Sequence, residues 1–263
     1  MLAAHDLHLS GRLETVTAAF EPGTITAICG PNGAGKSSLL EALAGLLPLE
    51  RGEVRLDDCA LAALRPRERA QRIGYLPQSA EVAWDLSVRG LVALGRLPRR
   101  DGASEPIERA LSALDLLGFA DRPASTLSGG ELARALLARV RAGEPRWILA
   151  DEPLAALDIG HQLALLATLR GAADQGCGII LALHDLALAM NHADRVLVLD
   201  RGRVVAHGAP GHALSQETIA RVWKVDALWL GRPGARALLS GDAAGAAGSA
   251  QALSLAGSSR GSA

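Results

Sequence analysis

The amino-acid sequence predicts an α/β fold, a mostly parallel sheet with helices on both faces and a helical subdomain inserted into it. Three observations predict it. Residues 24–47 read as strand, glycine-rich turn and helix, and residues 147–206 alternate short apolar strands with helical patterns. Between them, from about residue 86 to 141, the strand pattern gives way to a helical one. A length of 263 residues at 49% hydrophobic content is enough for one substantial core carrying such an insertion.

In chain order, TITAIC at 24–29 is a β-branched, apolar run, the turn occupies 30–35, and KSSLLEALAGLL at 36–47 spaces its apolar residues as a helix does. GEVRL at 52–56 and IGYL at 73–76 read as further short strands. Helices are expected over 88–94, 107–117 and 131–141, separated by glycine, proline and arginine breaks. A strand at 147–150, a helix at about 161–173, a strand at 178–183, a helix from 185 and strands at 196–199 and 203–206 complete the alternation. From about residue 241 to 263 the chain is rich in alanine, glycine and serine, and a flexible tail is expected.

Composition narrows the function. A net charge of -1 at pH 7 argues against a protein that holds nucleic acid electrostatically, so no nucleic-acid partner is expected. Cys29, Cys59 and Cys177 are odd in number and in no metal-ligand spacing, which fits a reducing setting without disulfides or zinc. No signal-peptide pattern opens the chain, and no apolar run reaches the roughly 18 residues of a membrane helix. Of 27 basic residues only Lys36 and Lys224 are lysines. A compact ammonium at Lys36 can reach between phosphate oxygens inside a tight loop, where a planar guanidinium is too large.

That lysine sits in GPNGAGKS at 30–37, which fits G-x-x-x-x-G-K-S/T between a strand and a helix. Gly30, Pro31, Asn32, Gly33, Ala34 and Gly35 form a concave backbone nest for phosphates, with the positive end of the following helix behind it. Lys36 would bridge the terminal phosphates, Ser37 would offer a hydroxyl to magnesium, and Ser38 follows at the helix start. WILADE at 147–152 delivers two carboxylates to the end of an apolar strand, the edge where α/β sheets bind ligands. Asp151 would hold magnesium, and Glu152 would orient or deprotonate an attacking water. LSGGE at 127–131 places Ser128, Gly129 and Gly130 at a helix start, a second anion site. The same residues also form a Ser-x-x-Glu capping box with Glu131, and both roles can hold together.

With these motifs in order, the chain resembles the ATP-binding cassette family from about residue 1 to 240. The resemblance implies a P-loop NTPase core with a helical subdomain at about 86–141 and a small antiparallel β part, with ATP and Mg2+ as ligands. LSGGE is similar to the family's signature sequence, with Glu131 where glutamine is commoner, and implies that Ser128 and Gly130 contact the γ-phosphate of ATP on a second, head-to-tail copy. By the same resemblance Gln78 in YLPQ senses magnesium and the attacking water, Asp158 in LAALD lies in the loop coupling the two sites, and His184 in LALHD holds the γ-phosphate. The family's adenine-stacking aromatic has no match in LHLSGRLETVTAAF at 7–20 before Phe20. His8 or Leu9 could stand in, which would loosen base selectivity.

VRGLVALGRLPRR at 88–100 and LDIGHQ at 157–162 resemble subunits serving iron-siderophore, haem and cobalamin importers; zinc and manganese importers share part of the pattern. This branch implies an integral membrane permease as partner, a substrate-binding protein upstream, and a peripheral location on the cytoplasmic face of the membrane. The groove for the permease is expected near Gln78 and residues 79–88, with Trp84 as a contact. A soluble cassette ATPase acting on DNA or ribosomes would be expected to carry two cassettes, a long coiled coil or a zinc insertion, and the sequence has none of these.

Overall fold

The computed structural model describes residues 1–78 and 86–241, and Trp84 and residues 242–263 lie outside the described set. In chain order it builds β1 (Leu2–Leu9), β2 (Leu13–Phe20), β3 (Ile25–Cys29), α1 (Lys36–Leu43), β4 (Arg51–Leu56), β5 (Cys59–Ala60), α2 (Pro66–Arg72) and β6 (Ile73–Leu76). There follow α3 (Val88–Ala93), α4 (Glu105–Ala113), α5 (Gly129–Ala142), β7 (Trp147–Asp151), α6 (Ile159–Asp174), β8 (Gly178–Ala182) and α7 (Leu186–His192). The chain continues through β9 (Arg195–Asp200), β10 (Arg203–Gly208), α8 (Pro210–Ala213), α9 (Gln216–Trp223), β11 (Asp226–Arg232) and β12 (Ala235–Gly241).

The central sheet runs β10-β9-β3-β8-β7-β6, parallel throughout except for the β9–β10 pair. Every residue of β3, β7 and β8 is buried, as strands covered on both faces must be. The alternating side chains feed two cores. Ile28, Leu149, Ile180 and Leu197 face α1 and the antiparallel β2-β1-β4-β5 sheet, while Ala27, Ile148, Ile179 and Val196 face the helices α3 to α9.

Two helices stop earlier than their apolar pattern suggests. α1 ends at Leu43 because Gly45 N–H bonds Ala42 O at 2.9 Å and Leu46 N–H bonds Glu41 O at 2.8 Å, the paired bonds of a Schellman cap. α4 starts at Glu105, two residues early, and stops at Ala113, where Asp115 takes φ 54 and Leu116 N–H returns to Leu111 O. Two hairpins have no counterpart in the apolar pattern. β1 and β2 pair antiparallel, yet both carry an irregularity at a left-handed residue, Asp6 at φ 49 and Thr15 at φ 55. Each adds one residue to the period, so Ala4 and Leu7, or Leu13 and Val16, face inward three apart instead of two. β11 and β12 form a separate ribbon whose last pair, Asp226 with Gly241, lies one residue into the expected tail.

Candidate functional site

The site is assembled at the carboxyl ends of four adjacent parallel strands, β3, β8, β7 and β6. β3 runs into the glycine-rich loop and then α1, whose N-cap Gly35 has φ 101. A Cβ there would lie 2.6 Å from the carbonyl oxygen of Arg12, so glycine is required by both conformation and space. Lys36 is 6% exposed and folds back over the loop, its Nζ donating to Gly30 O at 2.9 Å and Pro31 O at 3.2 Å. Burial pulls its pKa down, opposed by the charges of Glu152 and Asp151.

Asp151 closes β7 and is 3% exposed. Burial pushes its carboxyl pKa up, while the Ser37 hydroxyl hydrogen-bonds the charged form and pulls it down. Its Oδ1 has no hydrogen-bond partner among the described residues. A buried, unpaired carboxylate oxygen beside a hydroxyl is a fitting oxygen donor set for a hard divalent cation. Glu152 follows at φ 51, and its side chain is 13% exposed. Gln78, just beyond β6, donates Nε2–H to Glu152 Oε2 at 2.8 Å, and His184, just beyond β8, sets Nε2 against Glu152 Oε1. Three strands therefore fix one carboxylate, with an amide on one oxygen and an imidazole on the other.

Gln78, Glu152 and His184 line an open crevice of about 610 Å³ with Asn32, Gly33, Ala34, Gly35, Lys36, Ser37 and Ser38. Its remaining walls, Gly11 and Arg12, come from the β1–β2 turn. Both are absent from the residues that motif reading selects, and the one sequence signal for them is a basic residue upstream of the loop. His8 and Leu9 do not line the crevice: His8 Nε2 lies 3.7 Å from Glu50, and Leu9 packs on the core facing α1 and the antiparallel sheet. A larger crevice of about 930 Å³, between α4 and residues 141–148, is lined by none of the candidate catalytic, phosphate-binding or metal-binding residues.

The signature-like residues lie elsewhere. Ser128 caps α5, its Oγ accepting from Glu131 N–H at 3.3 Å while Glu131 Oε2 accepts from Ser128 N–H at 2.7 Å. Those bonds hold the Glu131 carboxyl below its usual range. A Cβ on Gly129 would meet nothing within 4 Å, and one on Gly130 would touch only Leu157 and Ala156. Asp158 caps α6, accepting from His161 N–H at 2.9 Å, with His161 Nδ1 on its other oxygen. None of the five residues Ser128, Gly129, Gly130, Glu131 and Asp158 lines the phosphate-loop crevice. Among the described residues no helix is long and apolar enough to cross a membrane.

Comparison with known proteins gives a consistent picture. The ABC transporter family model matches residues 13–155. The chain is 44% identical over 216 residues to the hemin import ATP-binding protein HmuV of Rhodococcus jostii, covering 80% of this chain and 74% of that one. It is 41% identical to the protein of the same name from Pseudomonas fluorescens, covering 87% and 94% respectively. Among solved structures, a dimeric bacterial ABC transporter cassette superposes with a TM-score of 0.73 at 25% identity, covering 80% of this chain and 99% of the other.

Proposed function

Because the chain belongs to the family of ABC transporter ATP-binding proteins, whose members bind and hydrolyse ATP, we propose that it energises the import of haem or a related iron chelate. The observation that carries the hydrolytic part is Glu152, a carboxylate at the carboxyl end of β7 engaged by Gln78 and His184 beside a phosphate loop. The importer assignment is supported by relatives named for hemin import. Residues 1–240 would form the ATP-binding unit, with the helical part at about 86–141.

In this reading the backbone of Gly30, Pro31, Asn32, Gly33, Ala34 and Gly35 cradles the phosphates at the start of α1, and Ser38 supports them from its first turn. Lys36 exchanges the carbonyls of Gly30 and Pro31 for phosphate oxygens. Asp151 and Ser37, with Gln78, would hold Mg2+, which when bound neutralises phosphate charge. Glu152 takes a proton from water as its oxygen bonds to the γ-phosphorus. The bond to the bridging oxygen breaks, and ADP leaves with that electron pair. Gln78 positions the water and His184 steadies the γ-phosphate.

Ser128, Gly129, Gly130, Glu131 and Asp158 would act on the nucleotide of a second, head-to-tail copy. ATP-driven closure of that dimer would move an integral permease from the cytoplasmic side of the membrane, with substrate delivered by a binding protein. No nucleic acid takes part. Reconstitution with the permease in vesicles tests the reading. ATP-dependent haem uptake, lost with Glu152→Gln, is expected; hydrolysis indifferent to permease and haem alike would overturn the importer assignment.

A further inference from the structure

We propose that Arg12 is the platform on which the base of the nucleotide stacks. The proposal rests on the phosphate-loop reading above and goes beyond it, because no motif of the chain supplies a base contact.

Sheet order sets the direction in which a nucleotide must lie. β8 and β7, which carry His184 and Glu152, are on one side of β3 and its loop, and β9 and β10 are on the other. A triphosphate whose terminal phosphorus faces Glu152 therefore extends its nucleoside end toward the β9–β10 side. The β1–β2 turn is packed there. The carbonyl oxygen of Arg12 lies so close to Gly35 and to Gly202, in the β9–β10 turn, that added Cβ atoms would stand 2.6 and 2.7 Å from it. Arg12 N–H bonds Leu9 O at 2.9 Å, and Glu14 N–H bonds Gly202 O at 2.8 Å. The backbone beneath the side chain is fixed.

The side chain itself is not tied down. Arg12 is exposed and lines the crevice, and its guanidinium has no hydrogen bond or ion pair among the described residues. Exposed Arg203, by contrast, is held by Glu14 and does not line the crevice. The crevice lining contains no Phe, Tyr or Trp, its imidazole, His184, is held at the Glu152 end, and a Cβ on neighbouring Gly11 would meet nothing within 4 Å, which leaves room for a ring. A guanidinium is flat and cationic and stacks on π-faces. Every base offers such a face, so this platform holds purines with little discrimination.

Binding to the full-length chain separates stacking from a charge contact. ATP and inorganic tripolyphosphate are titrated calorimetrically against the parent, Arg12→Ala, Arg12→Lys and Arg12→Tyr. Arg12→Ala should weaken ATP by about 5- to 100-fold, the loss typical of one stacked base, and leave tripolyphosphate unchanged, which also reports an intact loop. Arg12→Tyr should restore ATP affinity, and Arg12→Lys should not. Equal losses for both ligands, rescue by lysine but not tyrosine, or unchanged ATP affinity in Arg12→Ala would each overturn the proposal. A parent chain that bound neither ligand would overturn the phosphate-loop reading and the proposal with it, a result distinguishable from all the others.

Discussion

The carboxyl end of β7 and the amino end of α5 each hold a glutamate in two hydrogen-bonding contacts, but the contacts differ in origin. Glu152 is gripped by Gln78 and His184, which lie 74 and 32 residues away in sequence. Glu131 bonds Ser128, three residues away, at both ends of a local capping box. The first carboxylate is placed by the agreement of three strands and is largely buried. The second is placed by one turn of helix and is only half-buried. A carboxylate positioned by tertiary structure among a lysine, an amide and an imidazole is equipped for chemistry, whereas a capped helix end with bare glycines is equipped to receive an anion. Within one copy the two ends do not share a crevice, and this is why a second copy enters the proposed function.

The sharpest way to break this contrast is to neutralise Glu152. Glu152→Gln keeps the shape and loses the base, so turnover should fall by about 100- to 10,000-fold, with ATP still bound. Under the dimer proposal the variant should accumulate as an ATP-dependent dimer, read by light scattering. Retained hydrolysis would remove Glu152 from its role. At the other end, Ser128→Arg puts a bulky cation where the anion is to be received. Steady-state hydrolysis should drop by at least about 100-fold, the scale of losing one preorganised donor to a transition state, while ATP affinity at low protein concentration matches the parent. Normal turnover would show that α5 belongs to no active site.

Lys36→Ala should act earlier, on binding. A hydrogen bond to a charged group contributes about 1.5 to 3 kcal/mol, so ATP affinity should weaken by about 10- to 100-fold. Calorimetry distinguishes this from Glu152→Gln, where affinity holds and chemistry fails. Equal ATP affinity in parent and Lys36→Ala would contradict the reading of the loop.

What could be read in advance follows the same contrast between local and distant placement. The loop, the β7 carboxylates and the capping box of α5 were legible because each is a contiguous motif flanked by regular elements. Gln78 and His184 were identified only through the family resemblance, since nothing in YLPQ or LALHD alone tells that both reach Glu152. The β1–β2 hairpin stayed hidden because Asp6 and Thr15 interrupt the two-residue period on which strand reading depends. Arg12 was lost with it: its position over the crevice is set by contact with Gly35 and Gly202, which come from two other parts of the chain.

The smallest expected effect tests whether Glu131 is more than a cap. Glutamine at this position can still accept from Ser128 N–H, as a capping box allows. Glu131→Gln should therefore leave melting temperature and turnover close to those of the parent. Glu131→Ala removes the bond to Ser128 N–H and frees the first turn of α5, so melting temperature should fall and turnover with it, because the helix end that offers Ser128 and Gly130 loses its shape. If Glu131→Gln instead abolished turnover while keeping the melting temperature, the negative charge itself would be required, and Glu131 would have to be placed with Glu152 among the groups that act on ATP.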